Sequence, residues 1–534
     1  MRIAIKNGTV VDGTGKPAYR GDLLIDGGLI CQAGGTVFGK VDETVDATGL
    51  LVTPGFIDIH RHCDIQPLIN PRFGEIEGRQ GITTVVAGNC GLANVPFTEQ
   101  SGDDVLALVR PCLGPVTRRT TFSSYQAYIE ALSKGGLSLE FGFLAGTGAI
   151  KSAVKGFSKE PFSEQELKRA VAFMHEAMDS GALGASMGIM YPPERYNCID
   201  DYVALLRPVA EAGRIVSCHM RGESDSLVSS VAEAIEIARR TGVRFNISHF
   251  KSNGKRNWRK KIFEAVSLID QARTNGIIMT CDFYPYAGGS TTLQSLIPPD
   301  CFMENTEATC TFLASKKGVE RLRESITQRF PKWDNMVLGI GWDRVIISYI
   351  PVPEYASLAG MDFSRAAKMT GMDEAMLLAT LFVKAHGDVG IVIMSMDPED
   401  VAFVATLPYS SVISDSLYPT SGHPHPRLYG SFPAFLRTYV CEKHLLSLPE
   451  AIAKMTDMNA EKMGLSDRGT LEVGKRADVN VFALDAFHDL ATYRDPCRLA
   501  EGLTLSLVGG EVVVRNDVWQ ESRKGSLVLA QSKA

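Results

Sequence analysis

"GFIDIHRHCD", residues 55–64, is an apolar run that ends in two histidines two residues apart. In an extended strand, residues i and i+2 share a face, so His60 and His62 project together into whatever Phe56 and Ile59 help to enclose. Two imidazoles on one face either ligate one metal ion or serve as ordinary hydrogen-bonded polar side chains, and only further ligands decide between these. The stretch therefore predicts a buried strand whose C-terminal end is chemically equipped.

Seven later segments repeat that design. Candidate strands lie at 55–62, 83–87, 140–145, 183–189, 215–220, 245–250, 277–283 and 411–415, with amphipathic helices between them. The clearest helix is "SEQELKRAVAFMHEAM", where Ser163 and Glu166 form a capping box. Its apolar stripe is Leu167, Ala170, Val171, Met174, Ala177 and Met178. Eight strand–helix units in series predict an α/β fold, a (β/α)8 barrel spanning 54–464 with its chemistry at the strand ends and following loops. Between the seventh and eighth strands the chain runs on for more than a hundred residues; 288–348 is expected to be an insertion or lid.

The two ends of the chain have a different texture. Short alternating runs broken by Gly and Asp fill residues 1–53, and the same style returns at 465–534 in "GTLEVGKRADVNVFAL" and "LSLVGGEVVVRN". One small β-sandwich built from both termini is expected, enclosing the barrel between its halves.

Bulk properties narrow the function. The chain has 534 residues and a formal charge of -6, which argues against general nucleic-acid binding because phosphate neutralisation needs a basic field. Its one basic run, "KRNWRKK" at 255–261, reads as the solvated start of a helix. Eleven cysteines without a C-x-x-C pair, and an N-terminus without a leader pattern, predict a reducing, cytoplasmic setting with free thiols. No apolar stretch approaches the roughly 20 residues of a membrane helix. Nothing in the sequence specifies an oligomeric state.

On the expected barrel, six able side chains fall at strand ends. His60 and His62 follow the first strand, Cys90 in "VVAGNCG" the second, His219 in "VSCHMRGE" the fifth, His249 in "NISHFK" the sixth, and Asp415 in "VISDS" the eighth. Zinc suits imidazole and thiolate together, and Cys90, His219 and His249 supply a three-ligand site that leaves a position for water. His60 and His62 either complete a neighbouring, weaker site with Cys90 bridging or orient the water. Asp415 is the natural proton-transfer residue, its alternative being a cap on a strand–helix turn.

Those motifs, with "TPGFIDIHRHCD", "GNCG", "CHMRGE", "ISHFK", "CDFYPYAGGST", "ISDS" and "HPHPRLYGSFP", resemble the amidohydrolase superfamily, specifically the N-acyl-D-amino-acid deacylases or D-aminoacylases. The closing "TDMNAEKMGLSDRGTLEVGKRADVNVF" is similar to the superfamily's return to its β-sandwich. The cysteine of "GNCG" is the most specific feature, since many other amidohydrolases use a carbamylated lysine as the bridging ligand. The resemblance implies a tight zinc on Cys90, His219 and His249, a weak second site on His60, His62 and Cys90, and Asp415 as acid/base. It implies that Arg427, Lys251 and Tyr284 hold the substrate's α-carboxylate, with Tyr191 and Ser290 in the pocket and Leu293 beside the substrate side chain.

The implied activity is zinc-dependent hydrolysis of a small-molecule N-acyl-D-amino acid to a carboxylate and a free D-amino acid. The rivals are a cyclic-amide hydrolase of the dihydroorotase or hydantoinase type and a non-catalytic scaffold of the same fold. The chain also departs from the family pattern. It has Thr147 and Lys151 in "GTGAIK" where relatives carry a histidine and an arginine, and Ser416 in "SDS" where they carry glycine.

Overall fold

The computed structural model describes residues 1–419 and 421–531. Eight parallel strands follow one another around a sheet: Phe56–Asp58, Ile82–Ala87, Glu140–Gly146, Gly184–Gly188, Ile215–His219, Arg244–Ile247, Met279–Phe283 and Ser410–Val412. Each pairs with its predecessor in parallel register. Apolar side chains dominate these strands, as strands covered on both faces require. This is the expected (β/α)8 barrel, and all eight candidate strands occur in it.

The seam between first and last strands closes just beyond their ends. Asp415 N donates to His60 O at 2.9 Å and His62 N donates to Ser416 O at 3.0 Å, so the chain returning from the eighth strand lies directly against the histidine pair. The first strand is shorter than its sequence suggests because Asp58 turns its carboxylate back to accept from His60 N at 3.3 Å and Ser414 N at 3.1 Å. Arg61 faces away from the histidines. Its guanidinium, fully buried, donates to Asp58 Oδ2 at 3.2 Å and to Glu77 Oε1 at 3.1 Å. A buried cation is tolerated only with such paired acceptors, and here they lock the seam.

A nine-stranded sheet joins the two ends of the chain. Leu51–Pro54 runs parallel to Arg2–Val10 on one side and antiparallel to Val479–Phe482 on the other, with Val52 opposite Val481. Its buried face, including Ile3, Ile5, Leu23, Val52, Val481 and Leu505, forms a core of its own.

Between the seventh and eighth barrel strands stands a three-stranded antiparallel sheet of Gly289–Thr292, Gly390–Ile393 and Val345–Tyr349, with Gly390–Ile393 in the centre. Segment 288–348 thus supplies two strands and residues 390–393 the third. The helices Thr306–Leu313 and Glu374–Lys384 pack on each other and share one hydrophobic core with this sheet, separate from that of the barrel strands.

The helix Glu164–Asp179 has the expected capping box, Glu166 N donating to Ser163 Oγ and Ser163 N to the Glu166 carboxylate. Ala170, Met174, Ala177 and Met178 are buried, whereas Leu167 and Val171 are half-buried at the edge of the stripe. The basic run ends where helix Lys261–Thr274 begins, with Arg256 on Asp225 and Arg259 on Asp397. All eleven cysteines are free, and among the described residues no helix is long and apolar enough to cross a membrane.

Candidate active site

Three elements bring the central cluster together. Cys90 lies in the loop after the second strand, which is pinned where Gly91 N donates to Ser186 Oγ at 3.0 Å and Gly88 N to Asp64 Oδ1 at 3.0 Å. The fourth strand passes so close that a Cβ on Gly188 would lie 1.9 Å from the Cys90 carbonyl oxygen, so only glycine fits there. Cys90, His249 and Asp415 all have left-handed backbones, with φ of 55°, 38° and 49°. Non-glycine residues adopt that conformation at a cost, and it recurs here at three residues whose side chains converge.

Cys90 Sγ lies 3.8 Å from His219 Nδ1 and 3.5 Å from His249 Nε2. Tetrahedral zinc with ordinary Zn–S and Zn–N bonds sets its sulfur and nitrogen ligands roughly 3.6 Å apart, close to each of these two separations taken singly. His60 Nε2 is 3.3 Å from the same sulfur. Among the described residues, two groups are compact enough to hold a metal: His60, Cys90, His249 and Asp415, and His219, Glu223 and His249; neither unites Cys90 with both His219 and His249, and neither includes His62, so both groupings differ from the ligand sets expected from the sequence.

Burial sets the charge states. It pushes His219 down to about 3, against the pull of Glu223, and holds His60 well below the usual imidazole range, against the pull of Asp415. Neutral imidazoles are the form a metal needs. Burial, reinforced by Asp415, likewise pushes the Cys90 thiol well up, so a thiolate there calls for a cation to stabilise it.

Asp415 sits between the histidines and an arginine. Its Oδ1 is 3.4 Å from His60 Nε2 and 3.5 Å from His62 Nε2, and its Oδ2 is 2.8 Å from Arg427 Nη1. Burial alone would raise this carboxyl; the Arg427 guanidinium, with His249, His62 and His60, overrides it and holds the group well below the usual carboxylate range.

Arg427, 1% exposed, begins a helix, Arg427–Phe435, and its backbone N donates to His425 Nδ1 at 3.0 Å. Its Nη2 donates to Ser290 O at 3.3 Å, and its Cζ lies 4.6 Å from the Tyr284 ring centroid. Among the described residues Arg427 Nε is buried without a hydrogen-bond partner, and Tyr284 Oη is buried beside the guanidinium.

The cavity above this cluster is lined by His62, Cys90, His219, His249, Lys251, Tyr284 and Asp415 together with Tyr191 and Ser290. The three-stranded unit closes one side through Thr291, Met336 and Ile393. Tyr191 packs its ring 4.9 Å from that of His219 and shares a hydrogen bond with Thr291. Ser290 Oγ is engaged on Ile391 O. Leu293 lies fully buried in the core of the three-stranded unit, away from the cavity wall.

The departures from the family pattern are absorbed in the supporting structure. Thr147 Oγ1 donates to Glu194 Oε1 at 2.5 Å and to Ser186 O, and Lys151 Nζ donates to Asn197 Oδ1 at 2.6 Å. Neither lines the cavity. Ser416 Oγ donates to Arg427 O at 3.2 Å and so braces the arginine's backbone.

Sequence reading gave no role to Glu223, which the structure brings into the cluster. Its Oε1 accepts from Lys251 Nζ at 2.7 Å and lies 3.0 Å from His249 Nδ1. Its position in "CHMRGE", four residues past His219 and in the loop of a strand end, was the available signal.

The model of the amidohydrolase family matches residues 43–269 and 414–514. The chain is 31% identical to the N-acyl-D-aspartate deacylase of Alcaligenes xylosoxydans xylosoxydans, across 98% of this chain and 93% of that one. It is 30% identical to the D-aminoacylase of the same organism, across 100% and 98%. Among solved structures, the N-acyl-D-glutamate deacylase of Bordetella bronchiseptica, complexed with zinc and a phosphonate mimic of the tetrahedral intermediate, superposes with a TM-score of 0.81 at 29% identity and covers 96% of both chains. A family model matched on both sides of the barrel's inserted unit, and relatives similar from end to end, place this chain in the amidohydrolase family.

Proposed function

We propose that this protein hydrolyses the amide bond of N-acyl-D-amino acids, releasing a carboxylate and a free D-amino acid. The observation that carries the reading is the buried Arg427 guanidinium, whose Nε has no hydrogen-bond partner among the described residues, with Tyr284 against it and a carboxylate and a Cys/His cluster alongside. A buried donor of this kind calls for an acceptor, and an α-carboxylate in a planar fork of guanidinium N–H groups supplies one.

Cys90, His219 and His249 would hold zinc, and His60 and His62 with Cys90 a second, weaker ion. When bound, zinc supplies Lewis acidity that polarises the scissile carbonyl and brings the pKa of a water to about 7. Arg427, Tyr284 and Lys251 grip the α-carboxylate and so fix the substrate's chirality, since only one enantiomer then turns its amide toward the Cys/His cluster.

Asp415, ionised at neutral pH under the influence of Arg427, accepts the water's proton and returns it to the departing amine nitrogen. A bound α-carboxylate draws on the same guanidinium, which raises the proton affinity of Asp415 at the stage where it must hold a proton. His60 and His62 keep the carboxylate in place through its Oδ1.

The test is release of free amino acid from paired N-acetyl-D- and N-acetyl-L-methionine by the zinc-loaded protein. D-selective release by about 100-fold or more is expected, the cost of a misplaced scissile bond being of that order. Equal cleavage of both enantiomers, or of neither, overturns the reading.

A further inference from the structure

A buried carboxylate, Glu223, stands where the expected metal ligands and the carboxylate clamp meet. His249 points Nε2 at Cys90 Sγ, 3.5 Å away, and must present a lone pair there to bind a metal, so its hydrogen has to sit on Nδ1. Two groups touch that Nδ1. Lys251 Nζ lies 2.7 Å from it and is donor-only; Glu223 Oε1 lies 3.0 Å from it and is acceptor-only. Only Glu223 can accept an Nδ1–H.

Without Glu223, the ammonium would donate into Nδ1 and leave the hydrogen on Nε2, aimed at the sulfur. The same Glu223 oxygen also accepts from Lys251 at 2.7 Å, so the ammonium that reaches Nδ1 is shared with the carboxylate. The carboxylate is buried, and Asn253 N donates to Glu223 O at 2.7 Å, which ties its loop to the loop that carries Lys251.

We propose that Glu223 is a positioning residue that holds His249 in the metal-ligating tautomer and couples it to Lys251 of the carboxylate clamp. The proposal rests on the reading of Cys90, His219 and His249 as zinc ligands. Carboxylates that orient ligating histidines are worth about 10- to 100-fold in metal affinity or activity where they have been removed.

The experiment measures zinc loss to a chelator from zinc-loaded wild type, Glu223→Gln, Glu223→Met, Lys251→Met and the Glu223→Met/Lys251→Met double variant, with thermal unfolding run in parallel. Glu223→Met is expected to lose zinc about 10- to 100-fold faster than wild type. Glu223→Gln, whose amide oxygen still accepts from Nδ1, stays nearer to wild type. The double variant recovers most of the lost retention, because the competing donor is gone.

That recovery separates positioning from mere packing, since a second cavity-lining substitution would only loosen a structural defect further. Wild-type retention in Glu223→Met, or a double variant no better than Glu223→Met, overturns the proposal. Should Glu223→Met fail to fold, Glu223→Gln and the double variant carry the same comparison. A wild type that holds no zinc brings down the ligand set and this proposal together, whereas normal wild-type zinc with no effect at Glu223 brings down this proposal alone.

Discussion

Asp415→Asn is expected to lower kcat for N-acyl-D-amino acid hydrolysis by about 10²- to 10⁴-fold, the range for removal of a general acid–base group, while zinc stays bound. The amide keeps the size of the carboxylate but can neither accept the water's proton nor deliver one to the leaving amine. Cys90, His219 and His249 are untouched by the change, so metal content separates lost chemistry from a lost site. The substitution also leaves the buried Arg427 guanidinium without the carboxylate 2.8 Å from it, so a drop in melting temperature accompanies the loss of rate. Near-normal turnover with zinc in place would remove Asp415 from its role.

Arg427→Met should reduce kcat/KM for N-acetyl-D-methionine by roughly 30- to 1,000-fold, the equivalent of about 2 to 4 kcal/mol for losing a charge-assisted carboxylate clamp. The split between constants matters. Lost ground-state binding appears in KM. The change in Asp415, released from the guanidinium that holds it low, appears in kcat and moves the acid limb of the pH profile upward. The α-carboxamide of the same substrate, which never engages the clamp, should be far less sensitive. Cyclic amides cleaved as well by the variant as by wild type would instead favour the hydantoinase-type rival, which needs no open-chain clamp.

Much of this was legible in the sequence because barrel strands are short, apolar and bounded by turns. All eight were found by those signals, and His60, His62, Cys90, His219, His249 and Asp415 stood at their C-terminal ends. What the pattern could not show are relations that only closure of the barrel creates. The seam at Ser416 and Asp415 lays the eighth strand's exit against His60 and His62, more than three hundred residues away in the chain.

Other residues resist reading for their own reasons. Arg61 looks like a surface charge between two histidines, yet it is fully buried on Asp58 and Glu77. Glu223 is one acid among many until the sixth strand places His249 and Lys251 beside it. Thr147 and Lys151, two of the departures from the family pattern, are spent on Glu194 and Asn197 outside the cavity lining, a placement that only the folded chain reveals.

The central claim is that a cysteine–histidine metal site built on Cys90 drives the hydrolysis, and the most direct test is elemental analysis of purified wild type and Cys90→Ala with D-amino acid release assayed on the same samples. The account predicts about one tightly held zinc per wild-type chain, with metal and activity lost together in the variant. A Cys90→Ala protein that keeps its zinc and its turnover would contradict it.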